Sequence, residues 1–428
     1  MLAQTAVRRI SKASIRCRAL HYSRPSFAMS RQQMDIVKST APVLQEKGIV
    51  ITTHFYKRML ESRPELKNFF NIAHQTTGAQ PAALAHAVWA YAANIDNLGA
   101  MTSAVSRIGN RHASLGISAY QYPIVGEHLL ASIKEVLGDA VDETVLGAWE
   151  AAYQQLADIL IGFEKNLYDK AAATPGGWNG WRQFIVARKV RESGEIISFH
   201  LAPSDKKLLP AFKPGQFVSV RCYVPELGVY QPRQYSLSDT PNRDHFRISV
   251  KREFADGHKP AGRISNVLHE SISEGSALDI SMPYGDFTLD INATNPVVLI
   301  SGGVGLTPMM SMLKTIIEQG RARPVVFVHA VRNRQVHAMN PSLSDMMSKD
   351  PEVIRAIFYE EVTEGDVKSF DYDYVGRINL RDIKDKVLLP DADYYLCGPL
   401  PFMDVQRRDL ESLGVRPEQI HSEVFGAS

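Results

Sequence analysis

The hydrophobic period of this chain changes twice along its length, and any fold it adopts has to honour both changes. From about Gln33 to Ala173 apolar residues recur every three or four positions. From Phe184 to Val250 they fall in short alternating stretches, and after Asn295-Pro296 they form unbroken runs separated by helical segments. A period near 3.6 marks amphipathic helices, a period of two marks half-buried strands, and unbroken runs between helices mark the strands of a parallel sheet. At 428 residues the chain also exceeds what one core can hold. Three blocks are therefore expected: an all-α block over 29–173, an antiparallel β-barrel over 180–290 and an α/β parallel-sheet domain over 295–428. Thr174-Pro-Gly-Gly-Trp-Asn-Gly180 reads as the linker after the helices.

Composition narrows the class. With 45% apolar and 22% charged residues the chain is globular, and no apolar run approaches the ~20 residues of a membrane span, so no transmembrane segment is expected. Three scattered cysteines, Cys17, Cys222 and Cys397, exclude a disulfide framework and a zinc ribbon. The net charge of +2 is carried by the N-terminus. Arg8, Arg9, Lys12, Arg16, Arg18 and Arg24 are uncompensated before Asp35, and removing those six leaves −4, which argues against a nucleic-acid surface. An arginine-rich, acid-free, serine-containing start reads as a mitochondrial transit peptide over 1–28, with a matrix destination, as a disordered tail, or as the product of an upstream start codon with Met29 initiating a cytosolic form.

In the helical block, Thr40 and Pro42 look like a cap and a first-turn proline, and Ile49, Tyr56 and Met59 share the face of the helix that follows. Gln80-Pro81 opens a helix carrying Leu84, Val88, Tyr91 and Ile95. Met101, Val105, Ile108, His112 and Leu115 form an amphipathic stripe. A long final helix, from about Asp142 to Ala171, turns Trp149, Tyr153, Leu156, Leu160, Phe163 and Leu167 inward. His112 sits mid-stripe, with Tyr122 ten residues on and Glu164 among the inward residues of the last helix. A histidine on an apolar face serves as a core residue or as a metal ligand. The ligand reading needs an acceptor for its second nitrogen, which Glu164 would supply.

In the second and third blocks, Arg233-Gln234-Tyr235-Ser236 ends an extended run. A guanidinium suits a pyrophosphate, a tyrosine one face of an isoalloxazine, and a serine hydroxyl a ring nitrogen; the same residues also make a plain barrel strand. Gly262-Arg-Ile-Ser265-Asn266 begins a helix whose N-terminus suits phosphate. Gly303-Val304-Gly305-Leu306-Thr307-Pro308 joins the strand Val297–Ile300 to a helix expected over Met309–Glu318, with Thr307 as cap and Pro308 in the first turn. Its glycines let backbone amides approach a dinucleotide pyrophosphate. Pro283-Tyr-Gly285-Asp-Phe287 and Cys397-Gly398-Pro399 follow in order.

That order resembles the ferredoxin-reductase-like FAD/NAD(P)H superfamily over residues 180–428. The helical block adds His54-Phe-Tyr56, Pro64-Glu-Leu-Lys-Asn-Phe-Phe70-Asn, Ala90-Tyr-Ala-Ala-Asn94, His112 and Tyr122-Pro-Ile-Val-Gly-Glu-His128, and the whole from about Met29 resembles a flavohaemoglobin. The resemblance implies a globin with haem b, then FAD- and NAD(P)H-binding domains. It makes His112 the proximal iron ligand and Tyr122 with Glu164 its relay. Phe70 would pack on the haem, and Tyr56, Gln80 and Leu84 would line the distal side. Phe217, Arg233, Gln234, Tyr235, Ser236, Ser265 and Asn266 would meet FAD. Gly303–Pro308 and Cys397-Gly398-Pro399 would meet the nicotinamide cofactor. Glu423, Val424, Phe425 and Gly426 would close over the flavin, with Phe425 as its aromatic cover.

Three positions depart from the family's common pattern: Arg111 for a lysine, Phe217 for a tyrosine and Val424 for a cysteine. The implied reaction is nitric oxide dioxygenation, with NO, O2 and NAD(P)H as the partners and a monomer as the assembly. Two other functions remain compatible with these residues: an oxygen-binding or sensing globin kept ferrous by its own reductase, and a general reductase for external acceptors. Arg332 and Arg334 stand where a 2′-phosphate would be read, or else in a solvated loop.

Overall fold

A computed structural model describes residues 29–255, 260–320 and 323–425; the expected transit peptide and Gly426 lie outside them. The first block is helical: α1 (Arg31–Ser39), α2 (Ala41–Ser62), α3 (Ile72–Thr76), α4 (Ala79–Ala93), α5 (Thr102–Leu115), α6 (Gln121–Leu137) and α7 (Glu143–Ala173). The Asp142 carboxylate caps α7 by accepting from the Val145 amide at 2.8 Å. The core is built on Ile51, Phe55, Met59, Tyr91, Ala92 and Trp149. Ile49 departs from its expected inward place and is 57% exposed. It sits at the edge of the buried face of α2, which runs through Gly48, Ile51, Thr52, Phe55 and Met59.

The stripe on α5 departs as well. Val105, Ile108, His112 and Leu115 are only half-buried, whereas Asn110 and Ser114 on another face are buried. The reason is the second block, which packs on that face. Its strands β1 (Trp181–Arg191), β2 (Ile196–Pro203), β3 (Phe217–Val224), β4 (Val229–Ser236), β5 (Phe246–Lys251) and, after the helix α8 (Arg263–Glu270), β6 (Ala277–Ser281) form one antiparallel sheet in the order β4-β3-β6-β1-β2-β5. A bridge between Leu237 and Ile248 ties the two ends into a barrel around Phe184, Phe199, Val220 and Phe246.

The third block contains β7 (Val297–Gly302), α9 (Leu306–Glu318), β8 (Val325–Val331), α10 (Asn340–Lys349), β9 (Ile354–Tyr359), β10 (Tyr374–Val375), α11 (Lys384–Val387), β11 (Asp393–Gly398), α12 (Leu400–Ser412) and β12 (Ile420–Val424). Every pairing is parallel, in the order β10-β9-β8-β7-β11-β12. The chain winds outward from β7 through β8 and β9, then returns to place β11 on its other side. The carboxyl ends of β7 and β11 therefore flank a switch point, where open parallel sheets bind their ligands. No helix among the described residues is long and apolar enough to cross a membrane.

Candidate functional site

Within the helical block, α5, α6 and α7 bring His112, Tyr122 and Glu164 together. His112 Nδ1 lies 2.8 Å from Glu164 Oε1, and the Tyr122 hydroxyl donates to the same oxygen at 2.5 Å. Glu164 is 2% exposed, so its carboxylate depends on those donors in place of water. Burial, reinforced by the charge of Glu164, raises the Tyr122 phenol above its ordinary value and keeps it a donor. With Nδ1 committed to a carboxylate, the ring proton is on that nitrogen and Nε2 carries the lone pair. Gly109 makes the approach possible, because a Cβ there would lie 2.3 Å from the Phe163 ring of α7. A haem fits this donor set: an imidazole with Nε2 free among the described residues and Nδ1 fixed by a carboxylate.

A second group stands on α2 and α4. Tyr56, 7% exposed, touches Phe70 edge to face, and Phe70 and Leu84 pack on the same apolar cluster. Burial raises the Tyr56 phenol far above its ordinary value, partly offset by a hydrogen bond with the Gln80 side chain. Gln80 Oε1 and Gln75 Nε2 are buried without a partner among the described residues. Unsatisfied polar atoms cost about 1–3 kcal/mol each, and Gln80 Oε1, beside a neutral phenol, suits a small polar guest.

The barrel and the sheet supply the other sites. On β4, the Arg233 guanidinium donates to its neighbour's carbonyl, Pro232 O, at 2.6 Å, leaving further N–H groups for an anion. Arg233 and Arg111 also act on His74 of α3, whose pKa falls to about 4, chiefly by burial and then by these two charges. Such a positive wall suits the pyrophosphate of FAD. Tyr235 is half-buried, Gln234 is exposed and Ser236 is buried, paired in register with Phe217. Phe217 itself is 8% exposed and packs in a cluster that includes Ala113 of α5, so it lies at the junction of helical block and barrel.

The expected role of Ser265 and Asn266 side chains meets a structural alternative. Ser265 Oγ donates to Gly262 O at 3.0 Å, and Asn266 donates to Glu253 O and Gly262 O while accepting from Arg252. These side chains fasten the start of α8 to β5, and the helix N-terminus offers backbone amides instead.

At the switch point the helix begins earlier than expected. A 3-10 turn over Gly303–Gly305 leads directly into α9 at Leu306, with no side-chain cap. Thr307 is not the cap, because its hydroxyl donates backwards to Val304 O at 3.0 Å, and Pro308 falls third in the helix. Gly305 is required by contact: a Cβ there would sit 2.2 Å from Cys397 O. The glycine turn and Cys397-Gly398-Pro399 thus press against each other at the ends of β7 and β11. Burial pushes the Cys397 thiol well up, away from its thiolate.

Glu423 lies opposite Cys397 on β12, and Val424 opposite Gly398. Burial raises the Glu423 carboxyl to about 7 against the pull of Arg111, and Arg111 Nη2 donates to Val424 O at 3.3 Å. Phe425 follows, 41% exposed. The C-terminal strand therefore reaches the helical block beside His112. Arg332 pairs with Glu195 of the barrel and Arg334 lies 3.4 Å from Asp371, so both arginines have carboxylate partners.

Residues that no motif announced join the blocks. Gln231, 1% exposed, accepts from the Ile72 amide at 3.0 Å and donates to Lys67 O and Phe70 O. Ser219 donates to Ser114, and Asn110 accepts from the Gly285 amide. Their signal was polar residues set in otherwise apolar strand and helix faces, legible only once the partner face is known.

Comparison with known proteins agrees with this layout. Three family models match in sequence: Globin over 53–160, Oxidoreductase FAD-binding domain over 183–289 and Oxidoreductase NAD-binding domain over 299–408. A flavohemoprotein of Bordetella pertussis is 55% identical over 399 residues, covering 93% of this chain and 98% of its own. One from Rhizobium meliloti is 52% identical over 398 residues with the same coverage. Among solved structures, flavohemoglobin from Malassezia yamatoensis with bound FAD and heme superposes with a TM-score of 0.79 at 29% identity, over 93% of this chain and 99% of that one. The FAD/NAD-binding domain of nitric oxide dioxygenase from Vibrio cholerae superposes over 57% of this chain and 98% of its own, at 32% identity and a TM-score of 0.51.

Proposed function

The chain belongs to the flavohemoprotein family, which makes it an NAD(P)H-dependent oxidoreductase with haem, FAD and a globin domain, and we propose that it acts as a nitric oxide dioxygenase. NO and O2 would become nitrate, with electrons drawn from NAD(P)H. The observation that carries this reading is the hydrogen-bonded triad of His112, Glu164 and Tyr122, in the same domain as a buried neutral phenol at Tyr56. Haem would supply the iron where the gases meet, FAD the change from hydride to single electrons, and NAD(P)H the hydride.

The protein's own contribution follows from its residues. Glu164 and Tyr122 hold His112 in one orientation and one tautomer, and the carboxylate raises the electron-donating power of the ring. Tyr56, its phenol held by the Gln80 side chain, offers a protonated O–H toward an oxygen atom on which negative charge develops; a preorganised donor of this kind is the principal electrostatic device of catalysis. Ile51, Phe55, Leu84 and Phe70 keep the surroundings apolar, which strengthens those bonds and excludes water. In the reductase, Arg233 and the start of α8 would hold the FAD phosphates. The turn at Gly303–Leu306 would hold the dinucleotide, and the Cys397 end of β11 would lie beside the nicotinamide.

Residues 1–28, with their six cations, fit a matrix presequence; N-terminal sequencing of native protein from isolated mitochondria would read a start within or after that segment. For the enzyme, NO removal and nitrate formation are followed with NADH in air-saturated buffer. Tyr56→Phe and His112→Ala are expected to lower the rate at least tenfold. If neither does, the globin site is not the catalyst. A globin that only stores or senses oxygen would not sustain NO removal over many turnovers per haem.

A further inference from the structure

The barrel carries a cluster that none of this chemistry uses. His200 on β2, Asp239 in the segment after β4 and His245 just before β5 bring one ligand atom each to within 4.8 Å of one another. The sheet register explains why. His200 pairs with Arg247 across β2 and β5, so His245, two residues earlier, is the diagonal neighbour of His200 on the same face. The two imidazole rings lie 5.0 Å apart.

Their hydrogen bonding leaves them available. His245 Nε2 is buried and has no hydrogen-bond partner among the described residues. It stands 3.7 Å from Asp239 Oδ2, too far for a hydrogen bond. Oδ1 of the same carboxylate is already taken, by Lys314 Nζ at 2.5 Å and by the Thr240 amide at 2.9 Å. Oδ2 therefore has His245 Nε2 at 3.7 Å and Arg247 Nε at 3.9 Å as its neighbours, with a ligand atom of His200 within 4.8 Å of the group. A tetrahedral zinc with arms of about 2.0–2.1 Å holds its ligands about 3.4 Å apart. The His245–Asp239 edge is close to that already, and a ligand atom of the half-exposed His200 ring lies within 4.8 Å of the other two.

We propose that His200, Asp239 and His245 form a binding site for a divalent transition-metal ion, with Zn2+ as its representative. Two imidazoles and one carboxylate favour nitrogen-seeking ions over Mg2+ or Ca2+, and the exposed side of His200 leaves a fourth position for water. Lys314 and Arg247 beside the carboxylate oppose the added charge and weaken the site. The place has structural meaning. Asp239 is where α9 is fastened to the barrel, since Ser311 Oγ also donates to its carbonyl at 2.6 Å. An ion on Oδ2 is held by the anchor that joins the two halves of the reductase.

Competition for Zn2+ between the haem- and FAD-loaded protein and a chromophoric zinc indicator tests this. One site is expected in the wild type, weakened at least tenfold in His200→Ala and in His245→Gln, and unchanged in His86→Ala on the exposed face of α4. FAD content is measured alongside, to establish that the variants are folded. A loss of less than tenfold in either cluster variant overturns the proposal. So does an anomalous-scattering peak from a zinc-soaked crystal that falls elsewhere on the molecule.

Discussion

Glu164 is the residue on which the globin half turns. A carboxylate at 2% exposure among Leu160 and Ala157 is tolerable only with its donors in place. Glu164→Gln keeps the size but removes the anionic acceptor from His112 Nδ1. Outer-shell partners of metal-bound histidine typically affect activity by about 10–100-fold, so NO turnover in this variant is expected to fall by at least tenfold with haem content retained. A rate within twofold of the wild type would show that the pair is only structural. His112, Tyr122 and Glu164 were readable as candidates in the sequence, because a histidine inside an apolar stripe and a glutamate among inward residues are both anomalies. Their meeting was not readable from spacing, since the contact spans 52 residues between two helices. Resemblance to a family supplied it. The His200–Asp239–His245 cluster lacked even that cue, as strand register alone brings it together.

At the scale of elements, the parallel sheet carries two predictions. Gly305 lies where the turn after β7 presses on the end of β11. Gly305→Ala is expected to raise the KM for NADH strongly or abolish flavin reduction while haem and FAD remain bound; unaltered NADH kinetics would refute the role assigned to that contact. His329 on β8 is 1% exposed, and burial lowers its pKa to about 4. The unfolded chain takes up that proton near pH 6.5, the folded one only near 4, so stability is fully present above about 6.5 and is lost as pH falls toward 4. Melting temperature measured from pH 7 to 4 should therefore decline less steeply in His329→Asn than in the wild type; identical slopes would contradict this.

The three-part order of elements followed from periodicity, but β6, β9, β10 and β12 escaped it. Leu278 and Ile280 do alternate inward on β6, yet five residues are too few to distinguish from a loop. β12 mixes Ile420 with His421, Ser422 and Glu423, because as an edge strand it has no second apolar neighbour. The cap expected at Thr307 failed for a local reason: a 3-10 turn placed the helix start before it.

Over the whole molecule, the junction between globin and reductase joins a small apolar cluster, Ala113 and Ala171 against Phe217, Met282 and Tyr284, to a set of polar contacts. Ser114 meets Ser219, Asn110 meets Gly285, and Gln231 ties down the segment that carries Phe70. Such a surface gave no sign of itself in the hydrophobic pattern. Gln231→Ala leaves the half-buried Ile72 amide and the Lys67 and Phe70 carbonyls without their partner, each at a cost below the ~1–3 kcal/mol of a fully buried group. It is expected to slow electron transfer from flavin to haem severalfold while NADH oxidation by an external acceptor stays normal. Slowing of both would place the defect in the reductase itself.

The central claim, that the chain turns NO and O2 into nitrate at the His112 site, is met most directly by a single turnover. The reduced protein in air-saturated buffer is mixed with NO in a stopped-flow instrument, and the quenched product is assayed. The account predicts rapid disappearance of NO with one nitrate formed per haem, much slower in Tyr56→Phe. NO that persists, or is lost without nitrate, would contradict it.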